Sequence, residues 1–150
     1  MPSADFVTEL PVRWSDCDPA RVVFYPNYFA YFEQAMVEWL SSRGASWNSL
    51  MRDQGLFFPR VEAHARYIAP ASFEDRVRVA LRVEDVTRKV VTVGWVMQRL
   101  RDERTIAEGY VKFAVIQPQL GDEGDPRAIE LPAAIRALFR PDSAAASQAQ

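Results

Sequence analysis

From Asn27 to Arg43 the chain runs without a glycine or a proline, and Phe29, Phe32, Met36, Val37 and Leu40 recur within it at helical spacing. That period puts them on one face of an α-helix. Tyr28, Tyr31, Ala35 and Trp39 widen the face. A helix this apolar is not stable at a surface, so the rest of the chain has to cover it. Pro26 suits the first helical position, where its missing N–H would have had no partner, and Gly44 suits the residue that ends a helix.

The cover is legible downstream. Phe57 to Ile68, Phe73 to Val86, Lys89 to Leu100 and Thr105 to Gln117 are rich in Val, Ile, Tyr, Phe and Thr, and polar clusters separate them. Such runs predict strands. Val77, Val79, Leu81 and Val83 alternate with Arg76, Arg78, Ala80 and Arg82; Val91, Val93, Trp95 and Met97 alternate with Thr92, Gly94, Val96 and Gln98. Arg101 to Arg104 predicts a hairpin turn. Upstream, Phe6 to Trp14 predicts a further strand, with Pro11 favouring a sheet edge or a bulge. Short helices are expected over 46–54, ending at Gly55, and over 131–139. Consecutive strands at hairpin spacing imply an antiparallel sheet wrapped around one long central helix, an α+β class. One helix hides one sheet face only, so two copies joined edge to edge are expected. Residues 1–5 should fray, and residues 141–150, rich in Ala, Ser and Gln, should be a disordered tail. Residues 1–140 are then expected to form a single domain.

Composition narrows the function classes. With 49% hydrophobic residues in 150, the chain can bury a core; its formal net charge of −2 offers nothing to nucleic acid. No apolar run reaches the roughly 18 residues that a membrane span needs. The N-terminus carries acids where a signal peptide needs positive charge, so a cytoplasmic protein is expected. One cysteine and one histidine argue against a disulfide framework, a zinc site or any other metal site. No cofactor is expected.

Chemistry concentrates in the segment from Ser15 to Tyr28. Asp16, Cys17 and Asp18 lead into a Pro-bearing loop and then the long helix. A carboxylate held near a helix N-terminus, where backbone N–H groups are free, can attack a carbonyl or activate water beside it. Both aspartates also suit turns. Cys17 with His64 is a rival nucleophile–base pair. His64 falls on the polar face of its strand with Glu62 and Arg66. Glu33, inside the apolar helix, is suited either to a local salt bridge or to an acyl pocket. Arg88 and Lys89, at the mouth of a strand, suit phosphate groups or a solvated turn.

Asp16-Cys17-Asp18-Pro19-Ala20 followed by Val23-Phe24-Tyr25-Pro26-Asn27-Tyr28 resembles the 4-hydroxybenzoyl-CoA thioesterase family of hotdog-fold enzymes. Tyr67-Ile68-Ala69-Pro70-Ala71, Phe73-Glu74-Asp75 and Thr87-Arg88-Lys89 extend the match, from about Val12 to about Gln117. The resemblance implies a hotdog fold and dimers that usually pair into tetramers, with active sites at the dimer interface. It implies acyl-CoA as substrate, with CoA entering as part of that substrate. It assigns the catalytic carboxylate to Asp18 and the amide facing the thioester oxygen to Tyr25. Glu33 stands where the hydroxybenzoyl enzyme carries an Asp, and Arg21 stands where the family usually has Gly. The implied activity is hydrolysis of a short-chain or aromatic acyl-CoA. A hotdog dehydratase or hydratase, and a non-catalytic acyl-CoA or acyl-carrier binding module, are the alternatives.

Overall fold

The computed structural model describes residues 3–119 and 123–141. The tail expected to be disordered lies, beyond Pro141, outside the described residues. The elements are β1 (Phe6–Pro11), a 3-10 turn (Trp14–Asp16), α1 (Asn27–Ser42), α2 (Trp47–Gln54), β2 (Arg60–Tyr67), β3 (Arg76–Val86), β4 (Val90–Arg99), β5 (Arg104–Ala114) and α3 (Ala133–Leu138).

The strands form one five-stranded antiparallel sheet in the order β1-β3-β4-β5-β2. The helix α1 lies on its concave face, the arrangement expected from the long apolar run. Register explains the two faces. Leu81, Trp95, Gly109 and Ala65 lie opposite one another on successive strands, as do Val83, Val93, Val111 and Ala63. These rows face α1. Arg82, Gly94, Tyr110 and His64 form the neighbouring row, on the outer face. Cross-strand ion pairs cover that face: Arg78–Glu9, Arg66–Glu108 and Lys112–Glu62.

The core is aromatic. Phe32, Met36, Trp39 and Leu40 of α1 are buried with Val77, Val79, Leu81, Met97 and Phe113 of the sheet. Each such side chain contributes roughly 1.5–3 kcal/mol by leaving water. Trp39 stacks on Phe6 at 6.4 Å and meets Phe139 edge-on at 5.7 Å, so the C-terminal α3 closes the helix's far side. The buried face of α1 is rotated from the predicted stripe: Tyr28, Tyr31 and Ala35 are buried, Phe29 is half-buried and Val37 is 46% exposed. Tyr28 meets the Tyr67 ring at the end of β2, and Tyr31 meets Asp16 in the loop, contacts that helical spacing alone does not reveal.

Several boundaries differ from expectation for identifiable reasons. β1 stops at Pro11 because Val12 donates to the Asp75 carbonyl and the chain turns. β2 starts at Arg60, after Pro59, which has no N–H to give the ladder. β3 starts at Arg76 because Ser72 to Asp75 form a closed turn, in which the Ser72 N–H donates to the Asp75 carboxylate at 2.8 Å. The N-terminus is not frayed at Asp5, whose carboxylate accepts from the Val83 N–H at 2.7 Å. α2 begins on Ser46, which accepts from the Ser49 N–H, and ends at Gly55 in the left-handed conformation, φ 63°.

Gly109 shows how tight the sheet is. A Cβ on it would lie 1.9 Å from the His64 carbonyl oxygen and 2.8 Å from the Trp95 ring. Both β2 and the indole would have to move. Gly109→Ala is therefore expected to destabilise the fold by about 1–3 kcal/mol, read as a lower urea midpoint with unchanged slope.

Candidate active site

Beyond the 3-10 turn the chain makes a small hairpin closed by the bridge between Cys17 and Val23. At its tip the Asp18 N–H donates to the Val22 carbonyl at 3.1 Å, and the Arg21 N–H donates to the Asp18 carbonyl at 2.8 Å. Closing so tight a turn puts Arg21 at φ 65°. A residue with a Cβ gives up about 1–2 kcal/mol there, and glycine gives up none. This is the position where glycine was expected, and the backbone supplies the reason. The chain keeps the conformation and carries arginine in it.

The two aspartates have separate tasks. Asp16 accepts through one carboxylate oxygen from the Arg13 N–H at 2.8 Å and from the Tyr31 hydroxyl at 2.9 Å. Its carbonyl accepts from the Phe24 N–H at 2.9 Å and from the Asn27 side-chain amide at 2.8 Å. Asp16 thus ties the loop to the first turns of α1. Burial, and then donation to Asp16, push the Tyr31 phenol far above its ordinary range. Asp18 is half-buried, and its Oδ1 accepts from the Ala20 N–H at 2.8 Å. Its Oδ2 has no partner among the described residues.

Asp18 lines a groove of about 860 Å³ with Trp14, Cys17, Pro19, Arg21, Ser72 and Phe73. Trp14, 77% exposed, and Phe73, 46% exposed, meet edge to face at 5.6 Å on its lip. Apolar walls with a few polar groups are the usual composition of a small-molecule cleft. Tyr25 follows in the same loop, at the start of α1. Pro26 has no N–H, and the Tyr25 N–H has no acceptor among the described residues. An unpartnered amide at a helix N-terminus is a donor with the positive end of the helix dipole behind it. The Tyr25 carbonyl accepts from the Tyr67 hydroxyl at 3.3 Å, and the two rings lie 5.9 Å apart. Tyr67 is the last residue of the edge strand β2.

The wall of the groove rests on a residue that sequence reasoning missed. Arg99, buried at the end of β4, donates to the Pro70 carbonyl and forms a two-point pair with Asp102. The Ala71 carbonyl beside it accepts from the Val23 N–H at 2.8 Å and so holds the hairpin. Arg99 keeps the Asp102 carboxyl down at about 2. In the sequence Arg99 is one more arginine flanking a hairpin turn. Only its spacing of three from Asp102 could have singled it out. Trp14 and Phe73 were likewise absorbed into predicted strands.

The other predicted site residues lie elsewhere in this chain. Glu33 pairs with Arg60 through two contacts, at 2.8 and 2.6 Å, and that guanidinium lies over the Trp47 and Phe113 rings. The salt-bridge alternative is the one seen. His64 lies on the outer sheet face, stacked 5.3 Å from Tyr110, beside a second cavity of about 340 Å³. Cys17 lines the Asp18 groove instead, so the two face different cavities. Burial, and then the charge of Asp16, push the Cys17 thiol up, away from thiolate. Arg88 pairs with Glu130 at 2.7 Å, and the Lys89 ammonium donates to the Ala128 carbonyl at 3.0 Å. They sit at the turn after β3, and β3 begins beside the groove. The strand between, at 3.3 Å per residue, spans about 33 Å.

No group of His, Cys, Asp and Glu able to hold a metal ion occurs among the described residues, and no described helix is long and apolar enough to cross a membrane.

Comparison with known proteins finds similarity over most of the chain. The family model described as the thioesterase-like superfamily matches residues 12–139. The chain is 26% identical over 129 residues to the 4-hydroxybenzoyl-CoA thioesterase of Pseudomonas sp. (strain CBS-3), covering 81% of this chain and 88% of that protein. It is 26% identical over 131 residues to the acyl-CoA thioesterase YbgC of Haemophilus influenzae, covering 86% and 91%. The solved structure of the Pseudomonas enzyme superposes with a TM-score of 0.77 at 23% identity, over 88% of this chain and 96% of that one, which establishes the shared hotdog fold. With the match running from Val12 through the loop, the helix and the whole sheet to Phe139, this chain belongs to the thioesterase-like superfamily.

Proposed function

We propose that this thioester hydrolase cleaves a short-chain or aromatic acyl-CoA to the free acid and CoA, with Asp18 as the reacting carboxylate. The carrying observation is the pairing within one loop. Asp18 keeps one carboxylate oxygen uncommitted on an apolar groove, and the Tyr25 amide at the helix start has no acceptor among the described residues. The names of the relatives, one a 4-hydroxybenzoyl-CoA thioesterase and one an acyl-CoA thioesterase, support the acyl-CoA reading. The Trp14–Phe73 lip supports a flat or short acyl group.

In the proposed reaction the thioester carbonyl oxygen points at the Tyr25 N–H. Asp18 attacks the carbonyl carbon to give a tetrahedral adduct. Its collapse breaks the C–S bond, releases the CoA thiolate and leaves an acyl–aspartyl anhydride, which water hydrolyses. Alternatively Asp18 takes a proton from water as the water attacks. In both routes negative charge grows on the carbonyl oxygen, and a fixed donor there is worth roughly 2.7–4 kcal/mol. The chemistry asks for no cofactor.

The proposed assembly is a homodimer, alone or paired into a tetramer. β2 is an edge strand whose residues are almost all exposed, with Val61 at 56% and Tyr67 at 44%. An uncovered edge of that length favours pairing with a second copy. Since β2 ends in Tyr67 against Tyr25, such pairing brings the partner to the site. Arg88 and Lys89 lie too far along β3 to serve the same chain's groove. Their proposed role at the carrier phosphates is therefore assigned to a second subunit, and the substrate contacts proposed for His64 and Glu33 belong to the same shared site.

A free-thiol assay over acyl-CoAs from acetyl to long-chain and aryl tests the activity. Asp18→Asn is expected to lower kcat roughly 10²–10⁴-fold while substrate binding persists, and wild-type rates in that variant would overturn the mechanism. Light scattering at micromolar concentration is expected to give at least the dimer mass; a monomer would refute the shared site.

A further inference from the structure

The loop that holds Asp18 also presents a cation for which the fold has no use. Arg21 lines the groove, in the left-handed conformation, with its guanidinium free of any hydrogen bond or ion pair among the described residues. Of the acids in these loops, Asp16 and Asp75 are engaged, and Asp18 keeps Oδ2 uncommitted. Asp16 holds Arg13 and Tyr31, Asp75 holds Arg101 at 2.7 Å, and Asp18 Oδ1 holds Ala20. No ion pair joins Arg21 to Asp18. The other residues lining the groove carry no positive charge.

We propose that Arg21 is a specificity-determining residue that binds an anionic group of the substrate, a phosphate of the carrier or a carboxylate on the acyl group. This deepens the thioesterase reading and rests on it. Three features carry it. An arginine occupies a backbone conformation that glycine, asparagine or aspartate would fill with less strain, so the side chain is not there to shape the turn. Its fork of donors matches carboxylate and phosphate oxygens. It also stands on the same groove as the exposed Trp14–Phe73 lip, and a ligand covering that lip would displace water and strengthen the ionic contact. In the free protein the guanidinium is exposed and contributes little to stability.

The reach of the residue fits an anion on either side of the scissile bond. The Arg21 N–H closes a turn onto the Asp18 carbonyl, which keeps the two Cα atoms within about 7 Å. A carboxylate on a short or aromatic acyl group and a phosphate on the carrier lie in opposite directions from the thioester, so ligands that vary each one separate them.

Four non-hydrolysable thioethers make the test: S-benzyl-CoA, S-(4-carboxybenzyl)-CoA, S-benzylpantetheine and S-(4-carboxybenzyl)pantetheine. Their affinities are measured by calorimetry on the wild type, Arg21→Asn and Arg21→Gly. Both replacements tolerate a positive φ, and Arg21→Gly is expected to melt higher than the wild type, so a folding defect does not mask the result. The expected result is that anionic ligands lose about tenfold in affinity relative to S-benzylpantetheine in both variants. Loss that follows the CoA carriers assigns the anion to the phosphates; loss that follows the carboxybenzyl group on both carriers assigns it to the acyl side. Equal change across all four ligands, or no binding of any of them by the wild type, overturns the proposal. An Arg21-dependent preference for anions in a protein that releases no thiol from any acyl-CoA would overturn the thioesterase reading and leave this one standing.

Discussion

Burial of the aromatic face of α1 is the requirement that the rest of the structure serves. Tyr28, Tyr31, Phe32, Met36 and Trp39 cannot face water together, and no single element covers them. The sheet takes one side, α3 with Phe139 closes the far end, and the loop from Val12 to Val23 closes the near end. The last of these covers is also the candidate site. Tyr31 brings a hydroxyl into the core as it is buried, and that hydroxyl needs an acceptor. Asp16 provides it, which fixes where the loop must lie. The position of the Asp18 carboxylate is thus a by-product of satisfying a buried phenol.

The same requirement explains why the protein is asymmetric in polarity. The concave sheet face is apolar through the rows at Leu81 and Val83, and the outer face is threaded with ion pairs such as Arg66–Glu108 and Lys112–Glu62. Exposed pairs of this kind add little stability individually. Their effect is to keep the outer face soluble and to leave the β2 edge, with Val61 and Tyr67, as a conspicuous unpaired stretch. Four of the exposed aromatic side chains belong to the candidate groove or to the loop that holds Asp18: Trp14, Phe73, Phe24 and Tyr25.

Much of the fold was legible because helix and strand periods are local. The run from Asn27 to Arg43 announces its helix, and the Val77–Val83 alternation announces its strand and its buried face. Pro11 announced its edge strand. What was not legible depended on contacts between distant segments. Nothing near Asp16 names Tyr31 as its partner, nothing near Arg99 names the Pro70 carbonyl, and nothing around Glu33 names Arg60. The rotation of the α1 stripe toward Tyr28 and Tyr31 has the same origin. Arg88 and Lys89, read as basic side chains at the mouth of a strand, sit at the turn after β3 with partners that nothing near them names, Glu130 and the Ala128 carbonyl. Arg21 could be read only as a substitution for glycine until its φ supplied the meaning.

The stitching of the Asp18 hairpin has a kinetic consequence. It is held at Cys17–Val23, at the Val23–Ala71 hydrogen bond, and through Asp16 to two residues of α1. A loop fastened at that many points has little conformational freedom left to lose. The entropy of bringing carboxylate and amide into one orientation is therefore surrendered once, when the chain folds, and not again at each encounter with substrate. A ligand entering the groove therefore meets a carboxylate and an amide already in place, with no loop to reorder.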